Sequence, residues 1–100
     1  MLSNPGGGGV WQVYLLRCAD MSLYCGITTN LARRLEEHNA GTASRCTRAR
    51  RPVSLAAAIA APDKSTALRL EILVKKAPAK QKIELLKALG GQYNLSKELQ

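Results

Sequence analysis

Two runs of β-forming residues, VWQVYLLR (residues 10–17) and LYCGIT (residues 23–28), are separated by only a short turn-like stretch around Ala19-Asp20-Met21-Ser22. So short a connection makes an antiparallel hairpin the simplest link between two strands. Side chains alternate faces along a strand, so Tyr14 and Tyr24 share a face only if paired residues have an even sum. Pairing Ala19 with Leu23 satisfies that condition and encloses Asp20, Met21 and Ser22 as a three-residue loop. Met21 suits this loop poorly, because such loops favour a glycine in the left-handed conformation. The hairpin leaves one question open: Tyr24 is either a packing residue or a reacting one.

The rest of the chain reads as helices around this hairpin. Residues 4–9 form a Pro/Gly-rich arm, expected to be disordered; no Lys-Ser/Thr follows its glycines, so it is not a phosphate-binding loop. Thr29 or Asn30 can cap a helix over residues 31–40, with Gly41 as its stop. Residues 41–52 read as a basic loop. The run VSLAAAIAA (residues 53–61) suits a third strand or a buried helix; Val53, Leu55 and Ile59 between Pro52 and Pro62 favour the strand. Asp63 or Ser65 then caps a helix ending near Lys76, where Pro78 blocks continuation. A last helix over residues 80–89 meets Gly90-Gly91. The expected fold is a mixed α/β (α+β) domain in the order ββαβαα, with a small three-stranded, mainly antiparallel sheet flanked by helices. Residues 1–9 are its arm, 10–90 the domain and 91–100 a polar tail.

At 100 residues the chain is one domain's worth, and its 46% hydrophobic content is ordinary. The longest apolar run, residues 55–61, is too short to cross a bilayer, and the first residues lack a secretory pattern. Three cysteines, Cys18, Cys25 and Cys46, form no CxxC pair and read as free thiols in a reducing cytoplasm. Zinc is disfavoured, because close ligand pairs are lacking and the even-sum register puts Cys18 and Cys25 on opposite faces. Fifteen Lys and Arg against seven Asp and Glu leave a formal charge of +8. A phosphate-bearing partner is the natural inference, because Arg45, Arg48, Arg50 and Arg51 cluster in one short segment.

Polar residues on apolar faces carry the remaining information. Arg34 and His38 are spaced i, i+4 on the first helix, at the edge of the side marked by Leu31 and Leu35. The bland reading is two solvated side chains, although His38 is the only histidine in the chain. At about 100° per residue, Glu71 falls between Ala67 and Leu68 and close to Val74. A carboxylate there requires a cation, a metal ion or hydrogen bonds. An ion pair with Lys75 is the bland alternative, contributing only about 0.2–0.5 kcal/mol on an exposed helix.

Together VYLL (residues 13–16), YCGIT (24–28), NLARR (30–34) and EILVKK (71–76) resemble the motifs of the GIY-YIG nuclease superfamily. The run YCGITTNLARRLEEHNAG is most similar to the small stand-alone bacterial members, relatives of the nuclease module of the UvrC excision-repair protein. The resemblance covers about residues 11–76. It implies that Tyr14 stands for the tyrosine of the first motif, and that Tyr24 and Gly26 stand for those of the second. Arg34 then takes the place of the catalytic arginine, His38 that of a histidine or tyrosine one turn on, and Glu71 that of the metal-binding glutamate. The first motif is here Gln12-Val13-Tyr14, without its glycine and isoleucine, and Cys46 stands where related proteins often carry a tyrosine.

The resemblance implies cleavage of DNA phosphodiester bonds with one divalent ion, Mg²⁺ or Mn²⁺, anchored by Glu71. Arg34 would neutralise charge at phosphorus. Tyr14, Tyr24 or His38 would take the proton from water; a tyrosine is favoured if nearby cations lower its ordinary pKa of about 10. Gly26 would let the backbone approach substrate, while Arg45, Arg48, Arg50, Arg51 and Lys75 would hold DNA phosphates. DNA repair or recombination is the implied setting. Many members carry a further site-choosing domain, so weak activity is expected of this length alone. The alternative is a non-catalytic nucleic-acid-binding or repair-complex module with the same fold.

Overall fold

The computed structural model describes residues 10–98. Its elements are β1 (Trp11–Arg17), β2 (Leu23–Thr28), α1 (Leu31–Ala40), α2 (Arg45–Arg48), β3 (Ser54–Ala61), α3 (Lys64–Lys76) and α4 (Ala79–Glu98). The sheet order is β2-β1-β3, and both pairings are antiparallel. This is the expected α+β architecture, with one extra helical turn. The arm expected at residues 1–9 lies outside the described residues. No helix among them is long and apolar enough to cross a membrane.

β1 is the centre of the molecule. Val13, Tyr14, Leu15 and Leu16 are all 0–1% exposed, because the strand is covered on both faces. Tyr14, Leu16, Cys18 and Val53 pack on one face with Leu31 and Leu35 of α1. Val13, Leu15, Cys25, Ile59 and Ala61 pack on the other with Ala67, Leu70 and Val74 of α3 and Leu86 of α4. Cys18 and Cys25 thus belong to opposite faces, and all three cysteines are free thiols.

The hairpin register differs from the expected one. Arg17, not Ala19, lies opposite Leu23, and the ladder continues as Cys18 N–H donates to the Ser22 carbonyl at 2.9 Å. The three-residue loop is therefore Ala19-Asp20-Met21, one position earlier than expected. Its closing bond runs from Met21 N–H to the Cys18 carbonyl at 2.9 Å. Met21 itself takes the left-handed conformation, with φ 71° and its side chain in solvent. Asp20 accepts the Ser22 N–H at 3.0 Å, which fixes this turn in preference to the alternative. The pairing sum changes by two, so the face parity of the tyrosines is unchanged.

Helix ends follow local chemistry. Asn30, rather than Thr29, caps α1 by accepting the Arg33 N–H at 3.1 Å, and Gly41 (φ 84°) stops it. Asp63, rather than Ser65, caps α3 through the Thr66 N–H at 2.7 Å. At the other end of α3, Lys82 Nζ donates to the Val74 and Lys75 carbonyls at 2.8 Å each, a cation placed where the helix dipole favours it. The segment expected to be a basic loop contains α2, capped by Ser44 Oγ accepting the Cys46 N–H at 3.0 Å. Asn39 ties α1 to the start of β3 through two bonds with the Val53 backbone, at 2.8 and 3.0 Å.

Gly90-Gly91 does not end the last helix: α4 continues to Glu98. The polar tail expected from residue 91 is therefore helical over 91–98. The physical reason lies at Gly90, where a Cβ would collide with Ile59 Cγ2 of β3. The glycine there allows close helix–sheet approach instead of signalling a stop. Gly90→Ala is accordingly expected to destabilise the fold by about 1–3 kcal/mol through overpacking. A stabilised Gly90→Ala protein in urea denaturation, the outcome usual at exposed helical glycines, would refute the close approach.

Candidate active site

Tyr14 lies opposite Gly26, and Tyr24 lies opposite Leu16, so the two tyrosines are diagonal neighbours on one face. Their ring centroids are 6.4 Å apart. A Cβ on Gly26 would sit 2.5 Å from the Tyr14 hydroxyl. The missing side chain at Gly26 makes room for the Tyr14 phenol.

α1 lays His38 across both rings, 5.9 Å from Tyr14 and 5.0 Å from Tyr24, edge-on in each case. His38 is wholly buried, which overturns the reading of it as a solvated helix residue. Its Nε2 is 3.0 Å from the Tyr14 hydroxyl, and its Nδ1 is 2.8 Å from Thr47 Oγ1. Thr47 is also wholly buried, and its hydroxyl donates to the Ser44 carbonyl at 3.3 Å. Arg34, one turn before His38, lies close enough to the Tyr14 phenol to act on it electrostatically and pairs with Glu37 at 3.0 Å. Glu37 is shared with Arg33 at 3.2 Å. Arg34 also borders a cleft of about 290 Å³ with Trp11, Thr28, Asn30 and Arg33.

Burial dominates the electrostatics of this cluster. It pushes the Tyr14 phenol up to about 12, although Arg34 pulls the other way. Desolvation of the phenolate here outweighs the one guanidinium. Burial, reinforced by Arg34 and opposed by Glu37, pushes the His38 imidazole below its ordinary range. At neutral pH the pair is thus a phenol against a neutral imidazole. Glu37 is held below the usual carboxylate range, first by Arg34 and then by Arg33. Tyr24 and Arg34 are only partly covered, whereas Tyr14 and His38 lie beneath the surface.

Glu71 stands in a different layer. α3 packs over the sheet face opposite the tyrosines, through Ala67, Leu70 and Val74. The Glu71 side chain is 16% exposed and pairs with Lys75 Nζ at 3.2 Å. Its charge is felt at Cys25, whose thiol is pushed up to about 11 by burial first and by Glu71 next. Tyr14, Tyr24, Arg34 and His38 lie together on one side of the sheet, and Glu71 is carried by α3. Among the described residues no group of three His, Cys, Asp or Glu side chains gathers. A single, largely covered carboxylate fits a hard ion that keeps most of its waters, such as Mg²⁺ or Mn²⁺, and not a four-ligand site.

The basic segment divides in two. Arg45 and Arg48 are exposed on α2, and neither side chain has a hydrogen bond or ion pair among the described residues. Arg50 instead pairs with Asp20 of the hairpin loop at 3.3 Å, while its carbonyl accepts the Ala19 N–H at 2.8 Å. Arg51 donates to the Arg48 carbonyl at 2.8 Å and the Asn39 carbonyl at 3.4 Å. Four phosphate-holding arginines were expected. Arg50 and Arg51 brace the loop, because backbone and carboxylate acceptors lie within their reach. Thr47 escaped the sequence reading; the available signal was Ser44, an N-cap residue three positions before it.

These shifts set a pH window. A histidine whose folded pKa lies below its unfolded value of about 6.5 favours folding above that pH, and the contribution is lost as pH falls below it. A tyrosine raised from about 10 favours folding below that pH and loses the contribution as pH rises towards about 12. Denaturation midpoints are therefore expected to fall between pH 7 and 5.5 in the wild type and to change less over that interval in His38→Gln. Equal slopes for the two proteins would contradict the buried neutral imidazole.

A family model described as the GIY-YIG catalytic domain matches residues 10–84. A UPF0213 protein of Nitratidesulfovibrio vulgaris is 44% identical over 99 residues, spanning 99% of this chain and 90% of the relative. Another UPF0213 protein, from Desulfotalea psychrophila, is 46% identical over 79 residues, 78% of this chain and 72% of its own length. The solution NMR structure of the protein EF2693 from E. faecalis aligns with a TM-score of 0.59 at 36% identity, covering 84% of this chain and 90% of that one. The paired tyrosines and the helix arginine thus coincide with a matched catalytic-domain model, and the chain belongs to the GIY-YIG catalytic domain family.

Proposed function

We propose that this protein is a divalent-metal-dependent DNA endonuclease that hydrolyses phosphodiester bonds, with DNA repair or recombination as its setting. The observation that carries this reading is Arg34, set beside the buried Tyr14 phenol and bordering an open cleft. A guanidinium so placed offers a planar donor fork to a phosphate without first having to be ordered. Membership of a nuclease family supports the same reaction class.

Each residue then has a part. Tyr24, the half-covered member of the ring cluster, takes the proton from the attacking water as its phenolate, having first given its own proton to solvent. Tyr14 and His38, beneath it, hold the ring and the guanidinium in place. Arg34 neutralises the charge that builds on the phosphorus oxygens. Glu71 holds one Mg²⁺ or Mn²⁺ ion, after releasing Lys75 to the substrate's phosphates. When bound, that ion supplies polarisation of the phosphate and stabilisation of the leaving oxygen. Arg45 and Arg48 track the DNA backbone, which positions a duplex without reading its sequence.

The Glu71–Lys75 pair, in which the carboxylate already has a counter-charge, favours a second reading: a non-catalytic nucleic-acid-binding or repair-complex module. Supercoiled plasmid and branched DNA, incubated with wild type, Arg34→Ala and Glu71→Gln with and without EDTA, separate the two. The endonuclease reading expects chelator-sensitive nicking, reduced about 100-fold or more in Arg34→Ala. Equal nicking by all three proteins would point to a contaminant. DNA binding without cleavage of any substrate would leave the binding module.

A further inference from the structure

The buried polar chain behind Tyr14 has ends of fixed chemistry. Arg34 lies beside one end, and a guanidinium can only donate. The Ser44 main-chain carbonyl stands at the other, and a carbonyl can only accept. Between them lie Tyr14, His38 and Thr47, each 0–1% exposed, linked at 3.0 Å (Tyr14 hydroxyl to His38 Nε2), 2.8 Å (His38 Nδ1 to Thr47 Oγ1) and 3.3 Å (Thr47 Oγ1 to Ser44 O). Thr47 has one hydroxyl hydrogen, and the Ser44 carbonyl takes it. Thr47 must then accept from His38, which places the imidazole hydrogen on Nδ1. Nε2 is left as an acceptor, so the Tyr14 O–H points to it and the phenol lone pairs turn towards Arg34. Reversing any one link would set two donors or two acceptors against each other in the core, at a cost of about 1–3 kcal/mol.

We propose that Thr47, backed by the Ser44 carbonyl, is a positioning residue that locks His38 in its Nδ1–H tautomer and thereby orients the Tyr14 hydroxyl for Arg34. It touches no substrate; it acts on the reaction through His38 and Tyr14. α2 is then a brace for the ring cluster as well as a carrier of Arg45 and Arg48. This inference rests on the endonuclease reading for its effect on rate, but not for the tautomer.

The chain has a single histidine, so a ¹⁵N NMR measurement of its ring nitrogens reports His38 alone in protein free of any histidine tag. Near neutral pH the wild type and Thr47→Ser are expected to show protonated Nδ1 and unprotonated Nε2. Thr47→Val, which keeps the shape and removes the hydroxyl, is expected to lose the single Nδ1–H form. Its nicking rate should fall about 10-fold or more through kcat rather than KM, with Thr47→Ser restoring it. Protonated Nε2 in the wild type would overturn the proposal, as would Thr47→Val with wild-type tautomer and rate. Should Thr47→Val fail to fold, the wild-type and Thr47→Ser tautomers still decide. If the wild type cuts no DNA, the endonuclease reading fails and the tautomer judges the lock by itself.

Discussion

Burial of β1 on both faces is the constraint on which the rest of this structure depends. Val13 and Leu15 pack against α3 and α4, and Leu16 packs beneath α1, in a strand that solvent hardly touches. Each such aliphatic side chain is worth about 1.5–3 kcal/mol when withdrawn from water. Tyr14 sits in the same strand and brings a hydroxyl into that environment. The hydroxyl cannot be left unpartnered, so it must find His38, and the second nitrogen of His38 must in turn find Thr47. A structural demand made by one phenol thus propagates from the sheet through α1 to α2. The cluster is built from the requirement that buried polar atoms be satisfied.

The same demand divides the cationic residues by role. Arg34 sits beside the ring cluster, pairs with Glu37 and borders an open cleft. Arg50 and Arg51 are consumed by Asp20 and by backbone carbonyls, holding the hairpin loop and α2 in register with α1. Arg45 and Arg48 remain exposed on α2. Half of this cluster thus has partners within the fold. Glu71 shows the complementary case. Its carboxylate is largely covered, but α3 carries it over the face opposite the rings, with Lys75 as counter-charge. The acidic and the aromatic members of the motif set thus come from different elements, α3 for Glu71 and β1, β2 and α1 for the rings.

Much of this was legible in the chain itself. The tyrosine pair could be placed on one face because strand side chains alternate with period two. A register displaced by two units in the pairing sum left that result intact. Asp63 and Asn30 stood among the cap candidates because their short side chains can take the orphan N–H groups of a first turn. The third strand was recognisable from Val53, Leu55 and Ile59 despite its alanines. Three features were not legible. α2 is four residues long, too short to leave a periodic signal. Gly90 has the look of a helix stop because its purpose, the approach of α4 to Ile59, depends on a residue 31 positions away. The anchoring of Arg50 depends on Asp20, 30 positions away in the chain.

The sequence by itself determined the strand and helix order, the antiparallel hairpin, the shared face of Tyr14 and Tyr24, and the family-like set of Arg34, His38 and Glu71. These follow from periodicity, capping chemistry and motif spacing, all of which are local. Only the tertiary structure decided that His38 is buried, that Thr47 completes its hydrogen bonding, and that two of four arginines brace a loop. It also decided that burial sets the protonation of Tyr14, and that Glu71 rides in the opposite layer. Those outcomes depend on which atoms meet across the fold and on how much water is excluded when they meet, and neither quantity is carried by the order of residues along a segment.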